Sequence, residues 1–298
     1  MTEVNIYKEA PVPSRLADFW RRFKKHKGAM TGATILLLII FLSVFSGFIA
    51  PYDPTSQFSE HLLQPPLWQE LGTNEFVLGT DDLGRDLLSR IIHGSKLSLG
   101  LSTLVVLIAT VFGILLGAIA GLRRGVIEFV ILRLMDIILA IPSLLLAIVI
   151  VAIIGPGLPN AIYAVAIVLI PHFVRIVRAS IREEMAKDYV IAARLDGASS
   201  SRLFIKSILP NILPPLVIQI SLSLSTAIID IAALGFLGLG AQPPSPEWGT
   251  ILSQSRDFFQ IAPWTVTVPG VAILVTVLSI NLVGDGLRDA IDPRDSRS

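Results

Sequence analysis

The 298-residue sequence has no cysteine and few charged residues. Without cysteine there are no disulfides, no thiolate chemistry and no cysteine-ligated metal, and the redox compartment cannot be inferred. Charged residues make up 16% of the chain, against about 25% in an ordinary soluble domain. Hydrophobic residues make up 53%, more than a soluble globule of this length can bury. The composition therefore predicts a membrane protein.

Motifs that mark several other functional classes are also missing. There is no G-x-x-x-x-G-K-[ST] loop to hold ATP phosphates, and no internal inverted repeat of the kind that secondary transporters carry. The histidines are scattered without metal-ligand spacing: His26, His61, His93 and His172. We therefore predict no catalytic residue and no metal or cofactor bound by this chain. If the protein transports uphill, the nucleotide chemistry must come from another chain.

Six apolar stretches of the sequence reach the length of about 20 residues that a helix needs to cross a bilayer. They run over residues 29–50, 97–121, 127–154, 160–178, 213–235 and 263–285. The first stretch is too long for the core of a signal peptide and lacks a small-residue cleavage site, so we interpret it as retained. The sequence thus predicts an all-α polytopic membrane protein with six transmembrane helices.

The basic residues determine the predicted orientation, because lysine and arginine accumulate in cytoplasmic loops. A cytoplasmic N-terminus places most of them inside: Lys8, Arg15, Arg21, Arg22, Lys24, Lys25, Lys27, Arg123, Arg124, the group from Arg175 to Lys206, Arg288, Arg294 and Arg297. Only Arg85, Arg90, Lys96 and Arg256 fall outside. Both termini are then cytoplasmic. The predicted parts are a cytoplasmic segment 1–28, a first span 29–50, an external loop 51–96, a five-helix core 97–285 with a cytoplasmic loop 180–212, and a tail 286–298.

The first external loop ends in a segment with helical periodicity. Thr80 or Asp81 is a suitable N-cap, and an apolar face follows: Leu83, Leu87, Leu88, Ile91 and Ile92. The opposite face is polar: Asp82, Arg85, Asp86, Ser89 and Arg90. The pattern predicts an interfacial amphipathic helix, whose charges are either substrate contacts or an ion-paired lead-in to the second span. In the second external loop, Trp248 is interpreted as a membrane-interface anchor.

Small and polar residues within the spans carry separate predictions. One helix has small residues at every fourth position, Ala109, Gly113, Gly117 and Gly121, which predicts close contact with another helix. Arg133 and Asp136 share a helical face and are predicted to pair. Asp230 and Asn281 are candidate pathway-lining residues, because polar groups inside a membrane are costly and often functional. Interhelical hydrogen bonding is the alternative for both.

The long loop between the fourth and fifth spans has the pattern of two short helices joined by glycine. The first helix is predicted over residues 183–195, and Gly197 suits the left-handed residue that ends many helices. Ser199 or Ser200 can cap a second helix, which Pro210 would end. These residues by themselves leave two interpretations open, a docking element for a partner protein or a basic surface loop.

This loop resembles the EAA loop of ABC-importer permeases, whose pattern is Glu-Ala-Ala, three residues, Gly, nine residues and Ile-x-Leu-Pro. Matching positions hold Ala192, Ala193, Gly197, Leu209 and Pro210, whereas Ile191 replaces the glutamate and Ser207 the isoleucine. Further stretches between Phe19 and Arg294, such as LGTDDLGRDLLSR and ALGFLGLGAQPPSPEWG, resemble the C-type subunits of dipeptide and oligopeptide permeases. The corresponding subunits of antimicrobial-peptide-resistance permeases are the close competitor.

The resemblance implies a type I ABC-importer permease fold, located in the bacterial inner membrane and surrounded by lipid. It implies a homologous B-type permease subunit as heterodimer partner, two cytoplasmic ATPase subunits that use ATP and Mg²⁺, an external solute-binding protein and a peptide substrate; no nucleic acid is involved. The residues carried over as ATPase-coupling are Tyr189, Ala192, Ala193, Arg194, Gly197, Ala198 and Pro210. The expected function is ATP-driven import of dipeptides or oligopeptides, with this chain forming half of the pathway.

Other functions stay open on the sequence alone. A related ABC system would carry antimicrobial peptides, polyamine, haem or nickel. A stand-alone channel or exporter would work without ATPase partners, and a membrane scaffold or receptor subunit would not transport at all.

Overall fold

The computed structural model describes residues 15–291, in which the regular elements are helices and no β-strand occurs. The helices are α1 Arg15–Lys25, α2 Lys27–Val44, α3 Ser46–Ile49, α4 Leu87–Leu122, α5 Val126–Leu139, α6 Ser143–Ile154, α7 Leu158–Glu184, α8 Asp188–Leu195, α9 Ser200–Leu203, α10 Leu209–Phe236, α11 Trp248–Ser255 and α12 Trp264–Ile291. A π-helical turn, Phe204–Ile208, joins α9 to α10, and a 3₁₀ turn, Arg256–Phe258, follows α11. The predictions that involve Lys8, Arg294 and Arg297 lie outside the described residues.

Within this range, five helical segments are long and apolar enough to cross a membrane. They are α2, α4, α7, α12 and the continuous stretch Ser200–Phe236, which consists of α9, the π-helical turn and α10. The predicted third span, 127–154, is instead broken into α5 and α6, which are bent by 91°. Pro142 stands at the break. Proline lacks a backbone N–H and disfavours helical geometry in the residue before it, which explains why the helix is interrupted here. The apolar helices number six if the bent pair is one span, so the predicted count of six spans stays a prediction.

The row of small residues on α4 packs directly against α7, as predicted. An added Cβ at three of these glycines would come within 3 Å of a Cβ on α7: 2.2 Å for Gly113 and Phe173, 2.7 Å for Gly117 and Val177, and 2.9 Å for Gly121 and Ile181. From one pair to the next, the residue number increases by four on both helices, so α4 and α7 run parallel. The main apolar core surrounds them, between α4, α6, α7 and α10.

Replacing Gly113 by alanine is expected to destabilise the protein by about 1–3 kcal/mol, the usual cost of overpacking a close contact. The new methyl group would overlap the Cβ of Phe173. That Cβ is attached directly to the backbone of α7, so it cannot move away unless the helix moves with it. The measurement is thermal unfolding of the purified protein in detergent. Gly100→Ala is the matched control, because Gly100 lies on the same helix with nothing within 4 Å of its Cβ position. Equal stability of the two variants would contradict the prediction.

Ion pairs connect α5 to α7 and overturn one prediction. Asp136 does not pair with Arg133, which is exposed; its Oδ1 instead accepts a hydrogen bond from Arg175 Nη2 of α7 at 2.6 Å. Glu128 Oε1 accepts similarly from Arg178 Nη2 at 2.6 Å. The physical reason is that α7 packs beside α5 and brings guanidinium groups to its carboxylates, in place of a pair within one helix.

The segment before α4, which the sequence placed outside, also differs from the prediction. No separate amphipathic helix begins at Thr80 or Asp81; residues 80–86 form a tight turn, in which Gly84 has φ +71° and an added Cβ would lie 2.1 Å from Phe58 O. Asp86 is the N-cap, and its side chain accepts from the Ser89 N–H at 2.8 Å. α4 then continues from Leu87 to Leu122 without a break.

Candidate functional site

The structure places the candidate site residues in two regions at opposite ends of the parallel α4–α7 pair. One is the segment between α7 and α10, residues 185–208, which we call the α7–α10 loop. The other is a buried polar cluster at the N-terminal end of α4, formed by Asp81, Arg85, Arg90 and Gln254, which we call the Asp81 cluster.

The α7–α10 loop begins later than the sequence predicted. The expected helix over 183–195 is divided, because α7 runs to Glu184 and α8 starts only at Asp188. The intervening turn is closed by hydrogen bonds from Ala186 N to Glu183 O and from Lys187 N to Glu184 O, both near 3.1 Å. Asp188 occupies the first turn of α8, where a carboxylate interacts favourably with the helix dipole.

Gly197 ends α8 in the left-handed conformation that its position predicted, with φ +82°. Its N–H donates to Arg194 O at 3.1 Å and the Ala198 N–H donates to Ala193 O at 3.1 Å. These two bonds make up a Schellman motif, which satisfies the last carbonyls of the helix. An added Cβ at Gly197 would have nothing of this chain within 4 Å. The tip of the loop is therefore defined by backbone hydrogen bonds and open to the outside.

Pro210 does not end the second helix, contrary to the prediction. Ser199 is the N-cap of α9 as expected, its Oγ accepting from the Arg202 N–H at 3.4 Å, but the helix continues through the π turn into α10. The Leu209 N–H bonds to Phe204 O, five residues back. This wider turn lies directly before Pro210 and accommodates its missing N–H and its ring, which would disturb a regular α-turn.

A set of polar contacts closes the base of the loop; we call Glu184, Tyr189, Ser207 and Asn211 the Tyr189 clasp. The Tyr189 hydroxyl donates to the buried Glu184 carboxylate and accepts from Asn211 Nδ2 at 3.0 Å. Asn211 Nδ2 also donates to Ser207 O at 2.7 Å. The clasp therefore joins the end of α7, the start of α8 and the start of α10.

Electrostatics around Glu184 are consistent with this role. Burial and the hydrogen bond to Glu184 raise the pKa of the Tyr189 hydroxyl above its ordinary value, so it stays a neutral donor. The hydrogen bond to Glu184 likewise raises the pKa of Lys187, whose ammonium group contacts the same carboxylate. The Glu184 carboxyl group thus accepts from two side chains, Lys187 and Tyr189. Tyr189, which the resemblance assigned to docking, contributes its hydroxyl to the inside of the loop and only the rest of its ring to the outside.

The outer surface of α8 carries Leu195, which the sequence prediction did not single out, and Ile191, which it noted only as the replacement of the glutamate. Ile191 is 46% exposed and Leu195 is 83% exposed, while Ala192 and Arg194 beside them are also exposed. Ile191 and Leu195 lie four apart on one face of the helix. Together the two side chains form a small apolar face on the exposed side of α8. Their i, i+4 spacing is the signal by which the sequence could have shown them.

The two candidate pathway residues are not brought together. Asp230 is 5% exposed and lies inside the subunit on α10, with Oδ2 lacking a hydrogen-bond partner among the described residues. Asn281 on α12 accepts a hydrogen bond from Ser225 Oγ of α10 at 2.7 Å, which is the interhelical bonding considered as the alternative. Pathway lining stays a prediction for both residues.

The Asp81 cluster contains residues that the sequence placed on a polar outer face, yet Asp81, Arg85 and Arg90 are each at most 2% exposed. Asp81 Oδ2 accepts from Arg85 Nε at 2.7 Å and also from Arg90 Nη1. Gln254 Oε1, far along the chain at the end of α11, accepts from Arg90 Nη2 at 2.9 Å. Of the two alternatives, the geometry favours the ion-paired structural lead-in, because no charged face is left exposed.

Trp248 lies next to this cluster and is 2% exposed, so its interpretation as a membrane anchor is wrong. Its Nε1 donates to Ile91 O at 3.1 Å, and an added Cβ at Gly94 would overlap its ring. Glu247, the N-cap of α11, accepts from the Gly249 and Thr250 N–H groups at 2.9 and 2.8 Å. Burial raises the pKa of Glu247, and these hydrogen bonds oppose the rise. The glycine- and proline-rich loop, predicted to be external, is therefore a packed element of the core.

Family models match most of the chain. Residues 113–297 match the model described as "Binding-protein-dependent transport system inner membrane component". Residues 14–66 match the "N-terminal TM domain of oligopeptide transport permease C". The chain is an ABC-importer permease of the dipeptide and oligopeptide family. The C-type assignment made from the motifs is thereby confirmed.

Individual relatives refine the position of this permease within the family. The chain is 54% identical to the "Di/tripeptide transport system permease protein DppC" of Pseudomonas aeruginosa, over 95% of this chain and 93% of the relative. It is 52% identical to the "Dipeptide transport system permease protein DppC" of Escherichia coli K12, over 96% and 95%. Identity to the competing "Peptide transport system permease protein SapC" of Escherichia coli O6:H1 is 46%, over 96% and 97%. The dipeptide permeases are therefore the more similar group.

The fold of this permease is also that of a solved ABC transporter. A chain of the MetNI methionine ABC transporter, in a structure described as inward facing, superposes with a TM-score of 0.57 at 22% identity. The match covers 68% of this chain and 97% of the other. At this identity the likeness establishes the helical permease fold alone.

Proposed function

We propose that this chain is the C-type permease subunit of an ATP-driven importer of dipeptides and forms one half of the translocation pathway. Support for the cargo comes from the names of relatives that are 52–54% identical over nearly the whole chain. The description of the matched family model, which names an inner membrane component, supports a location in the bacterial inner membrane. The basic residues support an orientation with both termini in the cytoplasm. A homologous B-type permease would complete the pathway, and an external solute-binding protein would deliver the peptide.

One observation carries the coupling part of the proposal: the α7–α10 loop is a rigid element that presents an exposed apolar surface. Ile191 and Leu195 are exposed on α8, and Gly197 leaves the tip open. α9 continues without a break into α10, so a force on the loop acts directly on an apolar span. We infer that this surface binds one of two cytoplasmic ATPase subunits.

The chemistry of ATP then belongs to the partners. ATP and Mg²⁺ would bind the ATPase subunits, and their closure would push the α7–α10 loop and tilt α7 and α10 together through the Tyr189 clasp. The residues of this chain act mechanically: the Schellman turn keeps the tip in one conformation, and the clasp transmits its displacement. Ile191 in place of a glutamate makes the contact surface of α8 more apolar.

The test is reconstitution of the complete complex. The tagged chain is purified from its native membranes with its partners, the partner chains are identified by mass spectrometry, and the complex is placed in proteoliposomes. We expect uptake of labelled dipeptides that requires ATP and the binding protein. Transport by this chain alone would instead establish a channel or exporter. ATP-dependent uptake of a polyamine, haem or nickel complex without dipeptide uptake would establish the related ABC systems.

Tyr189→Phe is expected to reduce dipeptide uptake several-fold and to lower the amount of peptide imported per ATP hydrolysed. The phenyl ring retains the packing of Tyr189, but the buried Glu184 carboxylate and Asn211 lose their bonds to the hydroxyl. A hydrogen bond to a charged group contributes about 1.5–3 kcal/mol, so the base of the loop loosens. Tyr163→Phe is the control, because Tyr163 on α7 is 58% exposed. An unchanged ratio of uptake to ATP hydrolysis in Tyr189→Phe would rule out this role.

A further inference from the structure

α1 is a basic amphipathic helix placed directly before an apolar span. Only His26 separates it from α2. From Arg21 of α1 to Lys27, the first residue of α2, five side chains are basic: Arg21, Arg22, Lys24, Lys25 and Lys27. Four or more lysine and arginine residues beside a transmembrane helix attract anionic lipid headgroups through the surface potential of the membrane. α1 therefore has the charge and the position of a headgroup-binding element.

The aromatic side chains of α1 indicate how deeply this helix lies in the membrane. Phe23 is 5% exposed and packs with Ala29 of α2 and Ala290 of α12, so α1 is attached to the helical bundle. Trp20 is 51% exposed; its ring stacks on Phe23 at 5.7 Å, and Lys24 Nζ lies 5.3 Å from the ring. Exposed tryptophan is typical of the headgroup region. The basic side chains of the same helix then lie at the level of lipid phosphates.

A cavity of about 450 Å³ opens between α1 and the C-terminal end of α12. Its lining has both signs of charge: Asp18, Arg21, Arg22, Lys25, His26 and Asp289. His26 Nδ1 accepts from the Ala29 N–H at 2.9 Å, so the proton of the neutral ring is on Nε2, which faces Asp289 Oδ2 at 3.5 Å. His26 is thus held by α2 and α12, and three cationic side chains outnumber two carboxylates around the cavity.

We propose that this cavity binds the headgroup of an anionic phospholipid with a hydroxylated headgroup, of the phosphatidylglycerol type, from the adjacent leaflet. The phosphate would contact Arg21, Arg22 and Lys25, because guanidinium groups bind phosphate oxygens through paired N–H donors. The headgroup hydroxyls would donate to Asp18 and Asp289, which explains why carboxylates line a site for an anion. The acyl chains would leave past Trp20 into the bilayer. The bound lipid would then fix α1 to the end of α12.

The test measures lipid binding to the purified, delipidated full-length chain by native mass spectrometry and by the shift in Tm on adding lipid. Phosphatidylglycerol is expected to bind and to raise Tm, whereas phosphatidylcholine and inorganic phosphate at the same concentration do neither. The double variant Arg21→Gln with Lys25→Gln should weaken phosphatidylglycerol binding on the order of ten- to thirty-fold. The reason is that each lysine or arginine near an anionic membrane surface strengthens the attraction to anionic lipid. The matched control removes the same charge elsewhere, by Arg123→Gln with Arg124→Gln, at exposed residues between α4 and α5.

Three results would overturn the proposal. Equal binding of phosphatidylcholine and phosphatidylglycerol would mean that the headgroup charge is not recognised. An equal Tm shift with inorganic phosphate would identify a site for free anions. Undiminished phosphatidylglycerol binding by the Arg21 and Lys25 variant would place the lipid elsewhere. Arg21 and Lys25 are both exposed, so their replacement leaves the packing of Phe23 intact, and the unliganded Tm of the variant verifies this.

Discussion

Gly197→Asp is expected to abolish ATP-driven dipeptide uptake while the protein stays folded in the membrane. Aspartate is one of the few residues that adopt the left-handed conformation, at a cost of roughly 1–2 kcal/mol, and no atom of this chain lies near the new Cβ. In the proposed complex, however, the tip is covered by an ATPase subunit. An unpaired carboxylate buried there costs several kcal/mol, which corresponds to on the order of a 100-fold loss of affinity or more.

The chain offers a control with the same backbone geometry. Gly238 ends α10 with φ +75° and nothing within 4 Å of its Cβ position. Its N–H donates to Gly235 O at 3.0 Å, and the Leu239 N–H donates to Leu234 O at 2.8 Å, which is again a Schellman motif. Gly238→Asp therefore imposes the same backbone cost at the opposite end of the molecule.

The decisive measurement is the amount of ATPase subunit that co-purifies with each variant, together with uptake in proteoliposomes. Gly197→Asp should lose the ATPase subunits, whereas Gly238→Asp should retain them. If Gly197→Asp keeps its ATPase subunits and transports normally, the α7–α10 loop is not the coupling element. If both variants lose the subunits equally, the defect comes from folding and not from the contact surface.

Asp81→Asn is expected to destabilise the protein by about 3–5 kcal/mol, the usual cost of leaving a buried charge without its partner. Asparagine retains the shape of the side chain and an Oδ1 acceptor for the Leu83 and Arg85 N–H groups, which Asp81 Oδ1 binds at 3.0 and 2.9 Å. The substitution removes the charge and replaces the Oδ2 acceptor of Arg85 Nε and Arg90 Nη1 by an amide group that can only donate. Arg85 and Arg90 are each at most 2% exposed and keep hydrogen bonds to the neutral Gln254 Oε1. The nearest remaining carboxylate is Asp82, which lies 3.9 Å from Arg85 Nη2.

This loss should appear as a Tm lower by on the order of 5–10 °C for the purified protein in detergent. Asp257→Asn is the matched control, since Asp257 forms an ion pair with Arg256 in which the two side chains are 82% and 68% exposed. Exposed pairs contribute about 0–1 kcal/mol, so its Tm should hardly change. A Tm of Asp81→Asn equal to that of Asp257→Asn would show that the Asp81 carboxylate is not needed to stabilise the two buried guanidinium groups.

The Gly197 turn could be predicted from the sequence, whereas the buried Asp81 cluster could not. The sequence alone predicts the turn at Gly197, because a Schellman motif involves residues no more than five apart and depends on one glycine. The close contact of α4 was evident for a similar reason, since a repeat of small residues every fourth position has one packing consequence in lipid. Span number was less certain, because apolarity does not distinguish a straight helix from the pair α5 and α6, bent by 91°.

Polar partners were the main failure of sequence reasoning, and the cause is sequence separation. Arg90 meets Gln254 across 164 residues, Tyr189 meets Asn211 across 22 residues, and Asp136 meets Arg175 across 39 residues. Helical periodicity placed Arg85 and Arg90 on an exposed face, because it assigns faces only within one helix. Which side chains are buried depends on what packs against that helix.

Short-range rules were thus sufficient for the helical membrane class, the α4–α7 contact and the glycine turn, since hydrophobic pattern and capping act within a few residues. The closed base of the α7–α10 loop, the buried Asp81 cluster and the burial of Trp248 arose only when helices distant in the chain came together. A buried charge or hydroxyl must find a partner wherever the packed helices supply one, and that choice is made by the assembled bundle.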